Sequence, residues 1–248
     1  MKEYPLTKKQ IRILKLAYKF RFVTVHQLAD HLGLAISTMS TNIKVLYRRG
    51  LLERRYTNLD IKLGLSAQYY LSNKGISELK KEMPLNDSVV RSYYKNKSLS
   101  RKFVDHNIAI FSAYLTLRRQ YHQQFTILTK AEIADYEQFP ELKPDLFLQS
   151  DTVSYFLYLY TDTQLFVIQK HVKQIIQHEN EGSWPGDYPS VLIACPSPRI
   201  EHRLQKYLES LLEDFEFYTT TTKALLAEKP ERAIWSDPVE PEKLINLN

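Results

Sequence analysis

The sequence predicts an α+β protein with two domains, a small helix-and-hairpin domain followed by an α/β domain. Helical periodicity and short extended runs follow the order helix, helix, helix, hairpin, helix over residues 1–85, whereas strands and helices alternate after residue 100. The net charge also differs between the front and the back of the chain. Residues 1–130 carry 24 Lys and Arg against 8 Asp and Glu, and residues 131–248 carry 10 against 20.

The first two helices are predicted from their caps and their apolar spacing. Residues 7–20 begin at Thr7, a good N-cap residue, and carry apolar side chains at helical intervals. A second, shorter helix over 25–32 follows Thr24. Gly33 comes directly after it, where a left-handed residue commonly ends a helix.

A third helix is predicted over residues 36–49, ending at Gly50. Met39, Ile43 and Leu46 recur at i, i+4 and i+7 and therefore share one face of that helix. Two short helices joined by a glycine-containing turn are typical of a helix-turn-helix.

Two extended runs, 51–56 and 67–71, follow the third helix with a polar loop between them, and a further helix starts at about Gly75. This order is that of a winged helix-turn-helix. The stretch "LADHLGLAISTMSTNIKVLYRRGLLERR" and the closing "YYLSNKG" resemble winged-helix regulators of the MarR and ArsR type. The resemblance covers about a third of the chain and implies binding to double-stranded DNA.

The outward face of the third helix supplies the first candidate DNA contacts. With the apolar positions facing the core, short hydroxyl side chains and a lysine point outward, and the start of the second helix of such a motif meets base edges in the major groove. Asn42 lies beside this face and could read adenine. The candidates on this helix are Ser37, Thr38, Ser40, Thr41, Asn42 and Lys44.

Basic and amide side chains farther along supply the candidate backbone contacts. Cationic groups at the end of the helix and in the wing are suited to phosphates, which strengthen binding without reading sequence. The alternative for each residue alone is an ordinary solvated side chain. The candidates in this group are Arg48, Arg49, Arg54, Arg55, Asn58 and Lys62. Residues 1–85, with 16 Lys and Arg against 6 Asp and Glu, are expected to fold and bind duplex DNA on their own.

Residues 86–100 read as a basic linker, because Pro84 and the polar run after it break the helical pattern. The α/β domain then spans 101–248. It opens on a long amphipathic helix from about residue 99 to 121. Strands are predicted at "FTILTK", "PDLFLQS", "VSYFLYLY", "QLFVIQK", "SVLIAC" and "FEFYTTT", and helices at "HVKQIIQHEN", "PRIEHRLQKYLESLLE" and "KALLAE". The tail "SDPVEPEKLINLN" reads as irregular.

The whole layout resembles the replication-relaxation family of plasmid and mobile-element proteins, through "DHNIAIFSAYLTLRR", "KPDLFL" at 143–148 and the tyrosine-rich strand after it. The resemblance implies a winged helix followed by a domain related to the restriction-endonuclease-like PD-(D/E)xK fold. A nuclease of that fold needs an Asp at one strand and an acid-x-Lys on the next, converging on a metal. Asp145 could be the first of these, but Tyr158 and Tyr160 stand where the second pair belongs.

The expected function is therefore that of a non-enzymatic, sequence-specific DNA-binding protein, either a transcriptional regulator or an accessory factor in plasmid replication or transfer. The α/β domain would serve dimerisation or partner binding, so a homodimer and the replication or transfer machinery are the partners left open. A metal-dependent nuclease targeted by a winged helix is the rival. No zinc-type spacing or phosphate-binding glycine loop occurs, and we expect no cofactor. A single cysteine, the absence of a signal-peptide pattern and the lack of a long apolar run lead us to expect a cytoplasmic protein without membrane contact.

Overall fold

The computed structural model describes residues 4–121, 124–211, 215–227 and 233–247. The chain divides into two compact units, Met1–Phe111 and Ser112–Asn248. The mixed α/β character predicted from the sequence is confirmed. The first unit of the chain begins with the predicted winged helix.

The first two helices of the N-terminal unit are those that the caps predict. Helix α1 spans Lys8–Phe20 and helix α2 spans Val25–Leu32. Each begins with a capping box. A threonine side chain accepts from the backbone N–H of the glutamine three residues on, and the side chain of that glutamine accepts from the backbone N–H of the threonine. Gly33 ends α2 at φ 62°, the left-handed conformation expected there.

Helix α3 spans Ile36–Arg48 and is followed by the wing. In the described part of this unit, strands β1 (Val23–Thr24), β2 (Leu52–Arg55) and β3 (Gln68–Leu71) form an antiparallel sheet in the order β1-β3-β2. The predicted polar loop between β2 and β3 is wrong in part, because helix α4, Asn58–Lys62, lies there.

Helix α5 spans Asn73–Lys80, two residues earlier than predicted, because Ser72 caps it by accepting from the Gly75 N–H. Gly75 is required by close packing rather than by its own dihedral angles. A β-carbon built on it would stand 2.0 Å from the carbonyl oxygen of Leu51, so any side chain would displace the wing strand.

The basic linker predicted over 86–100 is instead an ordered part of the first unit. Helix α6 spans Asp87–Tyr93, a single 3₁₀ turn spans Asn96–Ser98, and helix α7 spans Arg101–Gln120. Val104 of α7 is fully buried in a cluster with Phe22 and Tyr70. These apolar contacts extend the first unit to Phe111, beyond the boundaries of 85 and 100 predicted from the sequence.

The second unit is built on a mixed sheet. Its described strands are β4 (Thr126–Thr129), β5 (Leu146–Gln149), β6 (Ser154–Leu159), β7 (Ser190–Cys195), β8 (Phe217–Thr221), β9 (Trp235–Ser236) and β10 (Leu244–Ile245). They follow the order β10-β9-β8-β7-β6-β5-β4 in the sheet, with antiparallel pairing from β4 to β6, parallel pairing from β6 to β8 and antiparallel pairing again from β8 to β10. The described helices of this unit after α7 are α8 (Leu165–Asn180), α9 (Pro198–Glu209) and α10 (Thr222–Leu225).

Two sequence-based predictions in this unit are wrong. "QLFVIQK" is not a strand, because it forms the first turns of α8 with Ile168, Val172 and Ile175 buried at helical spacing. The tail is not wholly irregular, since β10 pairs with β9 there. Residues 212–213 and 228 of the predicted helices, and Asn248, lie outside the described residues.

Among the described residues, no helix combines the length and the apolar character that a bilayer crossing requires. Within the same residues, no group of three or more His, Cys, Asp or Glu side chains is placed to hold a metal ion.

Candidate nucleic-acid interface

The exposed surface of α3 is mainly polar, although Ile36, Val45 and Tyr47 are also exposed. Met39, Ile43 and Leu46 are at most 1% exposed, as their spacing predicts. The helix therefore turns its short hydroxyl groups and its lysine to the solvent. The exposed members of the predicted set are Ser37, Thr38, Ser40, Thr41, Lys44 and Arg48.

The start of α3 differs from the other helices of the winged helix in having no side-chain cap. Helices α1, α2, α4 and α5 each begin at a Thr or Ser that accepts from a first-turn N–H. Ala35 precedes α3 and has no group that could do so. The first-turn N–H groups of α3 therefore lack a side-chain acceptor and can donate to a phosphate, which the positive end of the helix dipole also favours.

Two of the predicted base contacts already use their donors within the helix. The Thr41 hydroxyl donates to the carbonyl of Ser37 at 3.0 Å, and Nδ2 of Asn42 donates to the carbonyl of Thr38 at 2.9 Å. Reading adenine requires an amide to donate and accept together. Asn42, which is also half-buried, does not present that pair in this conformation.

The end of α3 and the segment after it carry positive charge without opposing acids. No Asp or Glu occurs between Leu34 and Leu52, whereas Lys44, Arg48 and Arg49 lie in this stretch. Arg49 is half-buried and donates from Nη2 to the carbonyl of Tyr4 at 2.9 Å. Lys44 and Arg48 are the more accessible of these cations.

The two wing arginines occupy different environments. Arg54 is exposed, and its guanidinium lies 5.5 Å from the ring centre of Tyr47 and 5.9 Å from that of Tyr56. Arg55 is half-buried and donates from Nη1 to the carbonyl of Leu99 at 2.6 Å. Arg54 is thus presented outward and steered by two aromatic rings, while Arg55 ties the wing to the start of α7.

Helix α4 presents the last two predicted contacts, Asn58 and Lys62, both exposed. The helix is held by a capping box between Thr57 and Asp60, and Arg101 reaches Oδ1 of Asp60 at 3.1 Å. The hydrogen bond from the Thr57 hydroxyl, more than any other cause, lowers the pKa of Asp60. The carboxylate therefore stays ionised and anchors the wing.

Several exposed side chains near these contacts were missed at the sequence level. Tyr47 and Tyr56 flank Arg54, and the alternation of strand residues could have placed Tyr56 beside it. The wing also exposes apolar side chains, which a search for basic groups passes over. These are Leu59, Ile61, Leu63 and Leu65, each at least 40% exposed.

In the second unit, Asp145 is a buried structural acid. It is 4% exposed, its Oδ2 accepts from the backbone N–H of Leu159 at 2.8 Å, and Lys130 reaches its Oδ1 at 2.7 Å. Tyr158, at the position where the nuclease pattern needs charge, donates to the carbonyl of Leu142 at 3.0 Å. Cys195 is fully buried, and burial raises the pKa of its thiol.

The tyrosine at the other position of that pattern is also engaged within the unit. The Tyr160 hydroxyl and Nδ1 of His171 are 2.9 Å apart. Burial first, and the nearby charge of Lys130 second, lower the pKa of His171. This pair thus adds no charged group beside Asp145 at neutral pH.

Comparison with known proteins identifies the first part of the chain. A family model described as "MarR family" matches residues 6–60, which comprise α1 to α3 and part of the wing. No curated protein sequence matches the chain. Over residues 6–60 the N-terminal winged helix is similar to the MarR family, and no match supports the resemblance to the replication-relaxation family or to the PD-(D/E)xK fold.

Two solved structures match part of the chain. A mutant of ZitR from Lactococcus lactis is similar over 49% of this chain and 78% of its own, with 16% sequence identity and a TM-score of 0.29. The adhesin competence repressor AdcR from Streptococcus pyogenes is similar over 48% of this chain and 83% of its own, with 19% identity and a TM-score of 0.27.

Proposed function

We propose that this protein is a sequence-specific double-stranded DNA-binding transcriptional regulator, with the first unit as its DNA-reading head. The observation that carries the proposal is the outward face of α3. It combines exposed hydroxyl groups, an uncapped N-terminus and a stretch from residue 34 to 52 without an acidic side chain. The MarR-family match over the same residues supports it.

The proposed docking places the start of α3 in the major groove. Ser37, Ser40 and Thr41 would meet base edges, while the uncapped N–H groups would hold a flanking phosphate. Lys44, Arg48 and Arg54 would contact the backbone on either side. About six such phosphate contacts predict a slope of about −5 for the logarithm of the association constant against the logarithm of salt concentration.

We further propose that the second unit is not a catalyst. Its order of helix, three antiparallel strands, helix and parallel strand suits a nuclease-like core, and that order supports the degenerate-fold hypothesis. The side chains argue against the rival function of a nuclease, because Asp145 is committed to Lys130 and to a backbone N–H. A role in plasmid replication or transfer would need the same DNA-reading head and is a narrower form of this proposal.

The experiment is selection of duplexes from a random library by the purified full-length chain, followed by sequencing. The proposal predicts one enriched motif, which binds at least about 1,000-fold more tightly than random DNA at physiological salt. A palindromic motif would indicate two copies per site. Recovery of unenriched DNA, or no binding at all, would contradict the proposal.

A further inference from the structure

The second unit contains a cavity of about 750 Å³ beside the turn that joins β5 to β6. The turn residues 149–154 form one side, and the loop that carries Trp184 and Tyr188 forms another. Small-molecule sites commonly enclose about 300–1,000 Å³, so the cavity has the size of a ligand site. All its lining residues belong to the second unit, so the following inference does not depend on DNA binding.

Aromatic side chains line part of this cavity, among them Phe139, Phe147 and Trp184. Trp184 is half-buried and packs edge-on against Phe139, at 5.0 Å and 86° between ring planes, and against Phe156, at 5.1 Å and 90°. Phe147 contacts the same indole at 5.8 Å. Trp184 is therefore packed against three phenylalanine rings.

The mouth of the cavity carries only negative charge. Asp151, Asp187 and Glu216 line it and are exposed, and no Lys or Arg is among its described lining residues. Within the part of the chain that the structure describes, none of these three carboxylates forms an ion pair; Glu216 accepts from the Ser190 hydroxyl at 2.6 Å. A smaller adjoining cavity of about 220 Å³ shares Asp187 and Glu216 and adds Glu179.

Two further polar groups, His178 and Lys143, lie beside residues that line the cavity. Nδ1 of His178 lies 3.0 Å from the Tyr188 hydroxyl, and burial lowers the pKa of this histidine, so it is neutral at pH 7. Lys143 lies over the ring of Phe139 at 5.8 Å, where the carbonyls of Ile133 and Tyr136 hold its ammonium group. Lys143 is therefore a cation beside Phe139, but it does not line the cavity and its ammonium group is already hydrogen-bonded to these two carbonyls.

We propose that this cavity binds a small organic cation with an aromatic or alkylated body. The negative face of the indole attracts a cation, and partly desolvated contacts of this kind are the stronger ones. The carboxylates at the mouth add long-range attraction and repel anions. The aromatic side chains of the lining favour a bulky, weakly hydrated cation over a bare metal ion, which would need converging oxygen ligands.

The test measures binding of benzyltrimethylammonium to the full-length chain by calorimetry and by the fluorescence of Trp184. Benzyl alcohol and phenylacetate are the neutral and anionic probes of similar size. The cation should bind at least about tenfold more tightly than either. Equal binding of the three probes, or no binding of the cation at millimolar concentration, would overturn the proposal.

Variants separate the charge from the ring. Asp151→Asn with Asp187→Asn replaces two exposed carboxylates by amides of the same shape and should weaken the cation about tenfold, with benzyl alcohol unchanged. Glu209→Gln, an exposed acid on α9 outside the cavity, is the matched control and should bind as the wild type does. Trp184→Phe should retain most of the affinity, and Trp184→Leu should lose it. If Trp184→Leu fails to fold, the charge variants still decide, because wild-type affinity in the double variant would contradict the proposal.

Discussion

The guanidinium of Arg21 donates from Nε to Oδ1 of Asn96 at 2.7 Å, joining residues 75 positions apart in the sequence. Its Nη2 donates to the carbonyl of Ser92 at 2.8 Å, and its planar group lies 5.0 Å from the Tyr93 ring centre and 4.7 Å from that of Phe103. Arg21 adopts φ 66°, an uncommon conformation for a residue with a side chain. These contacts stabilise that conformation and bind the segment 92–103 to the winged helix.

Arg21→Lys should therefore destabilise the first unit. Lysine keeps the charge but loses the planar fork, so the free energy of unfolding should fall by about 2 kcal/mol. Both tryptophans, Trp184 and Trp235, belong to the second unit, so hydrogen exchange of peptides from 4–111 is the suitable measurement. Arg91→Lys, on the exposed side of α6, is the control and should change protection by less than about 0.5 kcal/mol. Equal protection in the two variants would remove the proposed role of Arg21.

A fragment of residues 1–111 should be more stable than one of residues 1–85. The longer fragment keeps the stack of Phe111 on Phe20, at 3.9 Å between ring centres, and the bond from Gln27 to the carbonyl of Ile108 at 2.8 Å. The shorter one exposes the apolar surface that Val104 covers. Urea denaturation followed by circular dichroism compares them. A 1–85 fragment as stable as 1–111 would restore the boundary predicted from the sequence.

Local signals predicted much of the first unit, and distant contacts account for what was missed. Thr7 directly precedes α1, Thr24 directly precedes α2, and Gly33 directly follows α2. These helix ends can therefore be predicted from neighbouring residues in the sequence. Helix α4 was missed because it has only five residues and leaves Leu59 and Ile61 exposed, without an apolar face to reveal it.

The ordered segment after α5 depends on partners far away in the sequence. No neighbouring residue in the sequence indicates that Arg21 and Asn96 form a hydrogen bond. The basic, polar stretch 86–100 was therefore interpreted as a linker. In the second unit, "QLFVIQK" has both alternating and helical apolar positions, and only its continuation into α8 decides between them. At the candidate site, outward positions on α3 followed from periodicity, while the commitment of Arg55 to Leu99 required the three-dimensional structure.

Protonation of Asp60 should loosen the wing in acid. The pKa of this carboxyl is lowered, chiefly by the Thr57 hydroxyl. A group with a lowered folded-state pKa stabilises fully above its unfolded value, and the contribution is lost as the pH falls through the folded-state pKa. Amide exchange of residues 57–68 should therefore increase in acid below the ordinary carboxyl value near 3.8.

Thr57→Ala should move the pKa of Asp60 upward and cost about 1 kcal/mol of wing stability, since it removes the cap of α4. Thr57→Ser keeps the hydroxyl and should behave nearly as the wild type does. An NMR titration of the Asp60 carboxyl checks both variants. The same pKa in the wild type and Thr57→Ala would contradict the assignment of the cause.

Asp145→Ala should destabilise the second unit without changing any DNA cleavage. The substitution leaves the buried N–H of Leu159 without this acceptor and removes the partner of Lys130, a loss of about 2 kcal/mol. Thermal unfolding followed at the tryptophans reports the stability. Plasmid incubated with Mg²⁺ or Mn²⁺ should remain supercoiled with either protein. Nicking by the wild type that disappears in Asp145→Ala, with binding retained, would favour the rival nuclease.

The central claim is that α3 reads base sequence while the wing contributes affinity. The direct measurement is the ratio of dissociation constants for the selected duplex and a scrambled one, in the wild type, Ser40→Ala, Arg54→Ala and the control Ser77→Ala, an exposed serine on α5. Ser40→Ala should raise this ratio of selected to scrambled about fivefold, corresponding to about 1 kcal/mol, with scrambled DNA bound as before. Arg54→Ala should weaken both duplexes equally and make the salt slope shallower by about one, and Ser77→Ala should change neither. Equal losses on both duplexes for Ser40→Ala and Arg54→Ala would contradict the claim that α3 reads sequence.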